Sequence, residues 1–315
     1  MDMVKEVNKH LGGALQGVDA PRPDYRGKVR DVYHKGNELF IVATDRVSAF
    51  DVILGTIPLK GTLLTEQSTM WLERAADIID THLIERVDPQ IMRCRRAETL
   101  PIEIIIRGYL AGSLMREDPA TRGSSYGLKL PTDLKPHQKL EAPIVTPTTK
   151  AEQGEHDEPI SLSEIVSSGL VTQANLDRAV EASVALFNAG STFAEENGLI
   201  LVDTKYEFGL IDGKVVLIDE IHTADSSRFW VKEDYPNAIK EERSPLMLDK
   251  ERLRSWLISQ GFQGEGTPPA LPDDVRVDLA VHYWKLTEQV LGQPFTPPIE
   301  PPSDRVPAYL NSQLG

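Results

Sequence analysis

Asp203, Lys205 and Glu207 stand at every second position of an apolar stretch, LILVDTKYEFGLI, and a second stretch, KVVLI, runs straight into Asp219-Glu220. Alternate residues of a strand share a face, so the three charges project together while Thr204, Tyr206 and Phe208 take the other side. Carboxylates beside a lysine on adjacent strands suit a Mg²⁺–polyphosphate site, because hard Mg²⁺ prefers carboxylate oxygens shared with phosphates and water. A solvated hairpin face with a ladder of ion pairs is the plain alternative, and the flanking LILV and VVLI runs argue against that exposure. The turn decides which charges meet. A two-residue loop at Asp212-Gly213 pairs Ile211 with Lys214 and Glu207 with Ile218, and turns Asp219 to the face opposite Glu207. A three-residue loop, Ile211-Asp212-Gly213 with Gly213 left-handed, pairs Leu210 with Lys214, Glu207 with Leu217 and Lys205 with Asp219. The three-residue loop is the expectation, because it gathers Asp203, Lys205, Glu207 and Asp219 on one face.

Other clusters carry groups that bind anions. Arg26-Gly27-Lys28-Val29-Arg30 places a glycine among cations, so that backbone N–H groups and side chains can approach phosphates; the same text also suits a basic surface turn. In IEIIIRGYLAGSL, Arg107 ends an apolar strand and Ser113 follows two glycines, the parts of a phosphate-monoester clamp or of an arginine neutralising a nearby carboxylate. Asp225-Ser226-Ser227-Arg228 offers hydroxyls and a guanidinium, or a helix cap ahead of Phe229-Trp230. The run from Thr44 to Asp51 sets polar groups, Ser48 among them, after a buried strand, and TPTTKAEQGEHDE packs Lys150, His156 and Asp157 into a loop. There is no Cys/His zinc spacing and no G-x-S-x-G elbow, so zinc chemistry and serine hydrolysis lack support.

These groups need a framework. A strand–turn–strand at 25–57 turns at Lys35-Gly36-Asn37, and one apolar stripe predicts a helix over 62–79. Strands are expected at 83–87, 92–95 and 102–107. Residues 116–160 are polar and proline-studded, which predicts a long loop. Ser161 and Glu164 form a capping-box pattern, and a long helix over 172–197 is closed by Gly198. Helices near 249–260 and 273–291 precede a Pro-rich tail, 293–307, expected to wrap the surface. Hairpins with a helix between them point to an α+β architecture with mainly antiparallel sheets, in two lobes for a chain of 315 residues. The net charge of −14 disfavours nucleic acid and anionic membranes as partners. A single cysteine, Cys94, fits a reducing compartment; its arginine neighbours could lower its pKa, but a lone cysteine is expected to be inert. The N-terminal residues lack a signal-peptide core, and no stretch has the ~20 apolar residues of a membrane span. The expectation is a soluble, cytoplasmic protein.

Together RGKVRDVY, ATDRVSAFD, PLKGTLLT, PIEIIIRGYLAGS, TPTTKAEQGEHDE, LILVDTKYEFG and IDEIHTADSSRFW, in order across most of 25–235, resemble the phosphoribosylaminoimidazole-succinocarboxamide synthase (SAICAR synthetase) family in its longer form. The resemblance implies an ATP-grasp-like pair of lobes, 1–98 and 99–315, with nucleotide between them. It implies a ligase of purine synthesis that joins L-aspartate to carboxyaminoimidazole ribotide (CAIR) at the expense of ATP, through an acyl phosphate. By family motif, Glu207 and Asp219 hold Mg²⁺, Asp203 lies nearby, Glu220 supports them, and Lys205 meets the reacting groups. Gly27, Lys28 and Arg30 cover the ATP phosphates, and residues 98–101, with Glu98 and Leu100, form the hinge at adenine. Arg107, Ser113 and Arg228 clamp the ribotide phosphate, while Ser48, Asp51, Lys150, His156 and Asp157 close over ribotide and aspartate. No obligate protein partner is implied. The rival readings are a small-molecule kinase on a related two-lobed fold and a nucleotide-binding protein without catalysis.

Overall fold

Alternating apolar and polar residues from Tyr25 to Arg95 build one antiparallel sheet, and a second begins directly after Ala97. The computed structural model describes residues 2–50, 52–150, 157–247 and 251–314. The chain opens with α1 (Met3–Lys9), then β1 (Tyr25–Arg26), β2 (Arg30–Lys35) and β3 (Glu38–Ala43). A separate hairpin of β4 (Arg46–Ala49) and β5 (Val52–Thr56) leads into α2 (Lys60–Ala75), β6 (Leu83–Asp88) and β7 (Ile91–Arg95). The first sheet has the order β1-β2-β3-β7-β6. Next come β8 (Glu98–Tyr109), α3 (Gly112–Arg116), β9 (Lys139–Val145), β10 (Thr148–Thr149), α4 (Leu162–Ser167) and α5 (Gln173–Glu196). The hairpin of β11 (Leu199–Ile211) and β12 (Lys214–Ile218) is followed by β13 (Ser227–Val231), α6 (Tyr235–Lys240), α7 (Glu251–Ser259), α8 (Asp273–Leu291) and α9 (Pro302–Leu314). The second sheet runs β10-β8-β11-β12, with β9 also on β8 and β13 also on β11. The architecture is α+β, with antiparallel pairing between the named strands of both sheets.

Local chemistry explains the helix ends. The Ser161–Glu164 capping box forms reciprocally, and Thr172 caps α5. Helix α2 starts without a side-chain cap of its own. Instead the buried Asp45 carboxylate accepts from the Gly61 and Leu15 amides, at 2.8 and 2.7 Å, and so satisfies an orphan N–H of the first turn. Only glycine fits at 61, because a Cβ there would run into the Ala43 carbonyl and the Gln90 amide.

Three expectations are corrected. The stretch 116–160 is no plain loop: β9, with Pro143 in it, adds an edge strand to β8, where a missing N–H is tolerated. Ser227–Val231 is a strand on β11 and caps no helix. The Pro-rich tail ends in α9, whose Val306 and Leu310 pack on Tyr33, Phe40, Val42 and Ile91 of the first sheet. The main core is continuous from Ile41 and Leu63 through Ile104 and Tyr206 to Trp284, so the two sheets and α2, α5 and α8 share one apolar interior. Cys94 lies in this interior, where burial pushes its thiol up to about 12 and outweighs any lowering by Arg93, Arg95 or Arg96. No helix among the described residues is long and apolar enough to cross a membrane.

Candidate active site

The central strand β11 presents the expected two faces. Thr204, Tyr206 and Phe208 are buried; Tyr206 Oη meets His222 Nε2 at 2.6 Å and Thr204 Oγ1 meets Ser227 Oγ at 2.7 Å. Asp203, Lys205 and Glu207 share the other face with their β8 partners Arg107, Ile105 and Glu103. The β11–β12 register, however, is the two-residue one: Ile211 pairs with Lys214 and Glu207 with Ile218. Asp212 and Gly213 both have positive φ, 51° and 74°, as a type I′ turn requires, and this turn matches strand twist better than the expected three-residue loop. In regular continuation Asp219 would face away from Glu207. It does not, because Asp219 follows the end of β12 with φ 65° and the alternation breaks there. A left-handed residue is tolerated more readily at Asp than at most side chains. Asp219 and Glu207 therefore line the same cavity, with Lys205 Nζ 4.0 Å from an Asp219 carboxylate oxygen.

At this pole, cations and carboxylates alternate. Lys205 Nζ donates to Glu103 at 2.7 Å and to Glu207; Lys150 Nζ donates to the other Glu207 oxygen. Arg30 donates to Asp219 at 3.1 Å and lies 3.5 Å from Glu220. Burial works against the Lys205 ammonium, but Glu207 and Glu103 outweigh it and raise its pKa. Burial works against the Glu207 carboxylate too, yet Lys205 and Lys150 hold its pKa well below the usual range. Glu103 goes the other way, raised by burial and by the charges of Glu207 and Asp157 despite Lys205.

A cavity of about 510 Å³ opens over these groups. Gly27, Lys28 and Arg30 form its rim. The Gly27 amide closes a turn on the Arg30 carbonyl at 2.8 Å, and a Cβ on Gly27 would stand 3.2 Å from that oxygen. Buried Arg46 holds the turn from behind, donating to the carbonyls of Gly27 and Lys28 at 3.0 Å each and pairing with Asp31 at 2.7 Å. Val29, Val32, Leu39, Ile41 and Ile218 supply apolar walls. At the expected hinge, Ala97 and Thr99 line the cavity; Glu98 pairs with Leu210 and Leu100 is buried in the core. The β8–β11 ladder is irregular here, between the Glu207 and Gly209 rungs, where Pro101 lies in β8.

The other end of the sheet face is an arginine pair. Asp203 is cross-strand partner to Arg107 on one side and Arg228 on the other. Arg107 donates to Asp203 at 3.1 Å, to Ser113 Oγ at 3.2 Å and to Thr146 Oγ1 at 2.9 Å, while Arg228 also donates to Asp203. Arg107 thus neutralises a carboxylate, one of its two sequence readings, and with Arg228 it leaves one positive charge in excess over Asp203. Gly112, at φ 61°, lets the chain pass Arg228, whose Nη1 would be 2.9 Å from a Cβ there.

Not every expected residue joins these poles. Ser48 is half-buried on the β4–β5 hairpin and does not line the cavity. Asp157 is exposed, though close enough to act on Glu103. Asp51 and His156 lie outside the described residues. Glu103 and His82 went unread in the sequence, and Arg46 and Thr146 stood only within longer motifs, without roles of their own. Glu103 had a signal, a lone carboxylate four residues before Arg107 on one face of an apolar strand. His82 had none, since only the fold brings it to the cavity wall, and the place of Arg46 behind the rim likewise came from the fold.

Among the described residues no group of three or more His, Cys, Asp or Glu side chains is placed to hold a metal ion. The donor set still fits one kind of cation. Three carboxylates line the cavity, Glu207, Asp219 and Glu103, the last bonded to Lys205, and so few protein oxygens suit Mg²⁺, which completes its shell with phosphate and water.

The family model of SAICAR synthetase matches residues 24–269. The phosphoribosylaminoimidazole-succinocarboxamide synthase of Cytophaga hutchinsonii is 43% identical over 310 residues, 97% of each chain. That of Legionella pneumophila is 39% identical over 300 residues, 92% of this chain and 95% of the other. Among solved structures, the SAICAR synthase of Saccharomyces cerevisiae complexed with SAICAR aligns with a TM-score of 0.78 at 31% identity, covering 89% of this chain and 98% of that one. Motifs, fold and relatives agree over the same residues, and the chain belongs to the SAICAR synthetase family.

Proposed function

We infer that the two poles of this sheet face are the two halves of one ligase site. Family membership makes the chain a ligase of purine biosynthesis. The observation that carries the assignment of parts is the spacing of unlike charge sets on one rigid face. The lysine–carboxylate cluster under the cavity and the Arg107–Arg228 pair are separated by the four residues from Glu103 to Arg107. At the rise of a strand that is about 13 Å, a length that suits a ribotide with its phosphate at one end and its imidazole carboxylate at the other.

In this reading ATP enters the cavity, its base against the apolar walls and its phosphates under Gly27, Lys28 and Arg30. CAIR lies along the face with its 5′-phosphate on Arg107, Ser113 and Arg228. Asp203 acts as a positioning residue, since it holds both guanidinium groups. The CAIR carboxylate oxygen attacks the γ-phosphorus and ADP leaves; the amine of L-aspartate then attacks the acyl carbon, and phosphate departs as the amide forms. Lys205 neutralises charge on the carboxylate and the transferring phosphoryl group, and Lys150 assists from the loop side. Such transfer depends on positioning and charge neutralisation more than on covalent help. Mg²⁺, when bound, would be held by Glu207 and Asp219 and would offset the charge of the ATP phosphates. Asp157, Ser48, Asp51 and His156 stay proposals for the loops that close over ribotide and aspartate. A reducing cytoplasm suits the free, buried Cys94.

ADP release measured with CAIR, with and without L-aspartate, tests this assignment. Turnover is expected only with all three substrates, and SAICAR should form in step with ADP. ADP release indifferent to aspartate would point to a kinase instead.

A further inference from the structure

The walls of the nucleotide cavity contain one buried side chain that the proposed roles leave unused. His82 lies just before β6, held by its backbone: its amide donates to the Leu217 carbonyl at 2.9 Å and its carbonyl accepts from Arg95 at 2.7 Å. The residue is 3% exposed, and its Nε2 is buried without a hydrogen-bond partner. A buried polar atom without a partner costs stability, and such groups are rare in native structures. Here the atom belongs to a residue that lines the cavity.

The remaining walls narrow the possible partner. Lys28, Arg30, Lys205, Lys150, Glu103, Glu207 and Asp219 are the cavity's charged lining, which suits phosphates. The rest of the lining is largely apolar, and apolar walls cannot tell one base edge from another. Of the uncharged polar side chains there, Tyr25 and Thr99 are exposed and His82 is buried. Burial, with Arg30 and Arg95 nearby, pushes its imidazole down to about 3, so it is neutral at pH 7 and offers one donor and one acceptor. We propose that His82 Nε2 hydrogen-bonds the purine edge of the bound nucleoside triphosphate and is a determinant of base choice. The proposal rests on the nucleotide reading of this cavity.

The test measures KM and kcat for ATP, GTP, 7-deaza-ATP and purine riboside triphosphate in the full aspartate-coupled reaction. In the unmodified protein, removal of the contacted edge group is expected to raise KM about tenfold, the scale of one buried hydrogen bond. His82→Ala should raise the KM for ATP by a similar factor, leave kcat within about twofold, and abolish the extra penalty for that analogue. His82→Gln, whose amide nitrogen can stand near the Nε2 position, should recover most of the ATP affinity. An unchanged ATP KM in His82→Ala, or an analogue penalty that persists in it, overturns the proposal. So does an unmodified protein that accepts both analogues as readily as ATP, a result independent of whether the alanine variant folds. Failure of ATP to bind at all would overturn the nucleotide reading itself, which a thermal shift with ATP alone distinguishes.

Discussion

Glu207 accepts from two lysines at once, and this explains how a carboxylate stays ionised where it is 6% exposed. Replacing it by glutamine removes the charge and keeps the shape, and takes away the counter-ion that Lys205 and Lys150 share, leaving Lys205 its bond to Glu103. Turnover in Glu207→Gln is expected to fall by at least ~10²-fold, the scale for losing a group that organises developing charge; near-normal kcat at saturating Mg²⁺ would exclude its role. The buried histidines make a different prediction. His82 and His222 are each pushed down to about 3 by burial, whereas an unfolded histidine titrates near ~6.5. Between those values the unfolded chain binds protons that the folded chain refuses, so stability is present above pH ~6.5 and is lost as pH falls. Asp45, raised to about 6 by burial despite its two backbone donors, works in the opposite sense between pH 6 and its unfolded ~3.9. Two buried histidines against one buried aspartate make stability fall as pH drops through that window. Denaturant titrations from pH 7.5 to 4.5 should show this slope, flattened in His222→Gln; equal slopes in the two proteins would reject the account.

Elements convert these residues into a site through a few backbone departures. The β11–β12 turn sets a register that should separate Asp219 from Glu207, and the left-handed Asp219 brings them back together. At the other pole, Gly112 combines φ 61° with close approach to Arg228. Gly112→Ala is therefore expected to strain the turn and push Arg228 off Asp203. The KM for CAIR should rise about fivefold or more, on the scale of one weakened charged contact, with the KM for ATP unchanged. An altered ATP KM alone would contradict the division into two poles. The β strands and most helices were legible beforehand because apolar periodicity and caps are local: Ser161 and Glu164, Gly198, and α8 at 273–291 stand where the pattern placed them. β9, β13 and α9 were not, because their pairing partners lie far away in the chain.

On the scale of the molecule, one core runs under both sheets, and the C-terminal helix closes it. Helix α9 seals the sheet that carries the Gly27–Arg30 turn, with Val306 and Leu310 fully buried and Arg305 bonded to Gln90 at 3.0 Å and to Asp88. Deleting residues 302–315 should cost about 3–6 kcal/mol, from two buried aliphatic side chains at 1.5–3 kcal/mol each. It should also raise the KM for ATP more than that for CAIR; a truncated protein with unchanged melting temperature would show that α9 is dispensable. By itself the sequence determined the chemistry on offer: which strand face carries Asp203, Lys205 and Glu207, that Arg107, Ser113 and Arg228 are candidates for a phosphate, and which family the motifs resemble. These follow from residue type and short-range periodicity, which need no partner. Tertiary structure alone decided that Asp219 turns back to Glu207, that Asp203 serves two arginines rather than the lysine cluster, that Glu103 joins that cluster, and that His82 lines the cavity. Each depends on a backbone torsion or a contact between distant segments, set by the packing of the whole chain rather than by any neighbour in sequence.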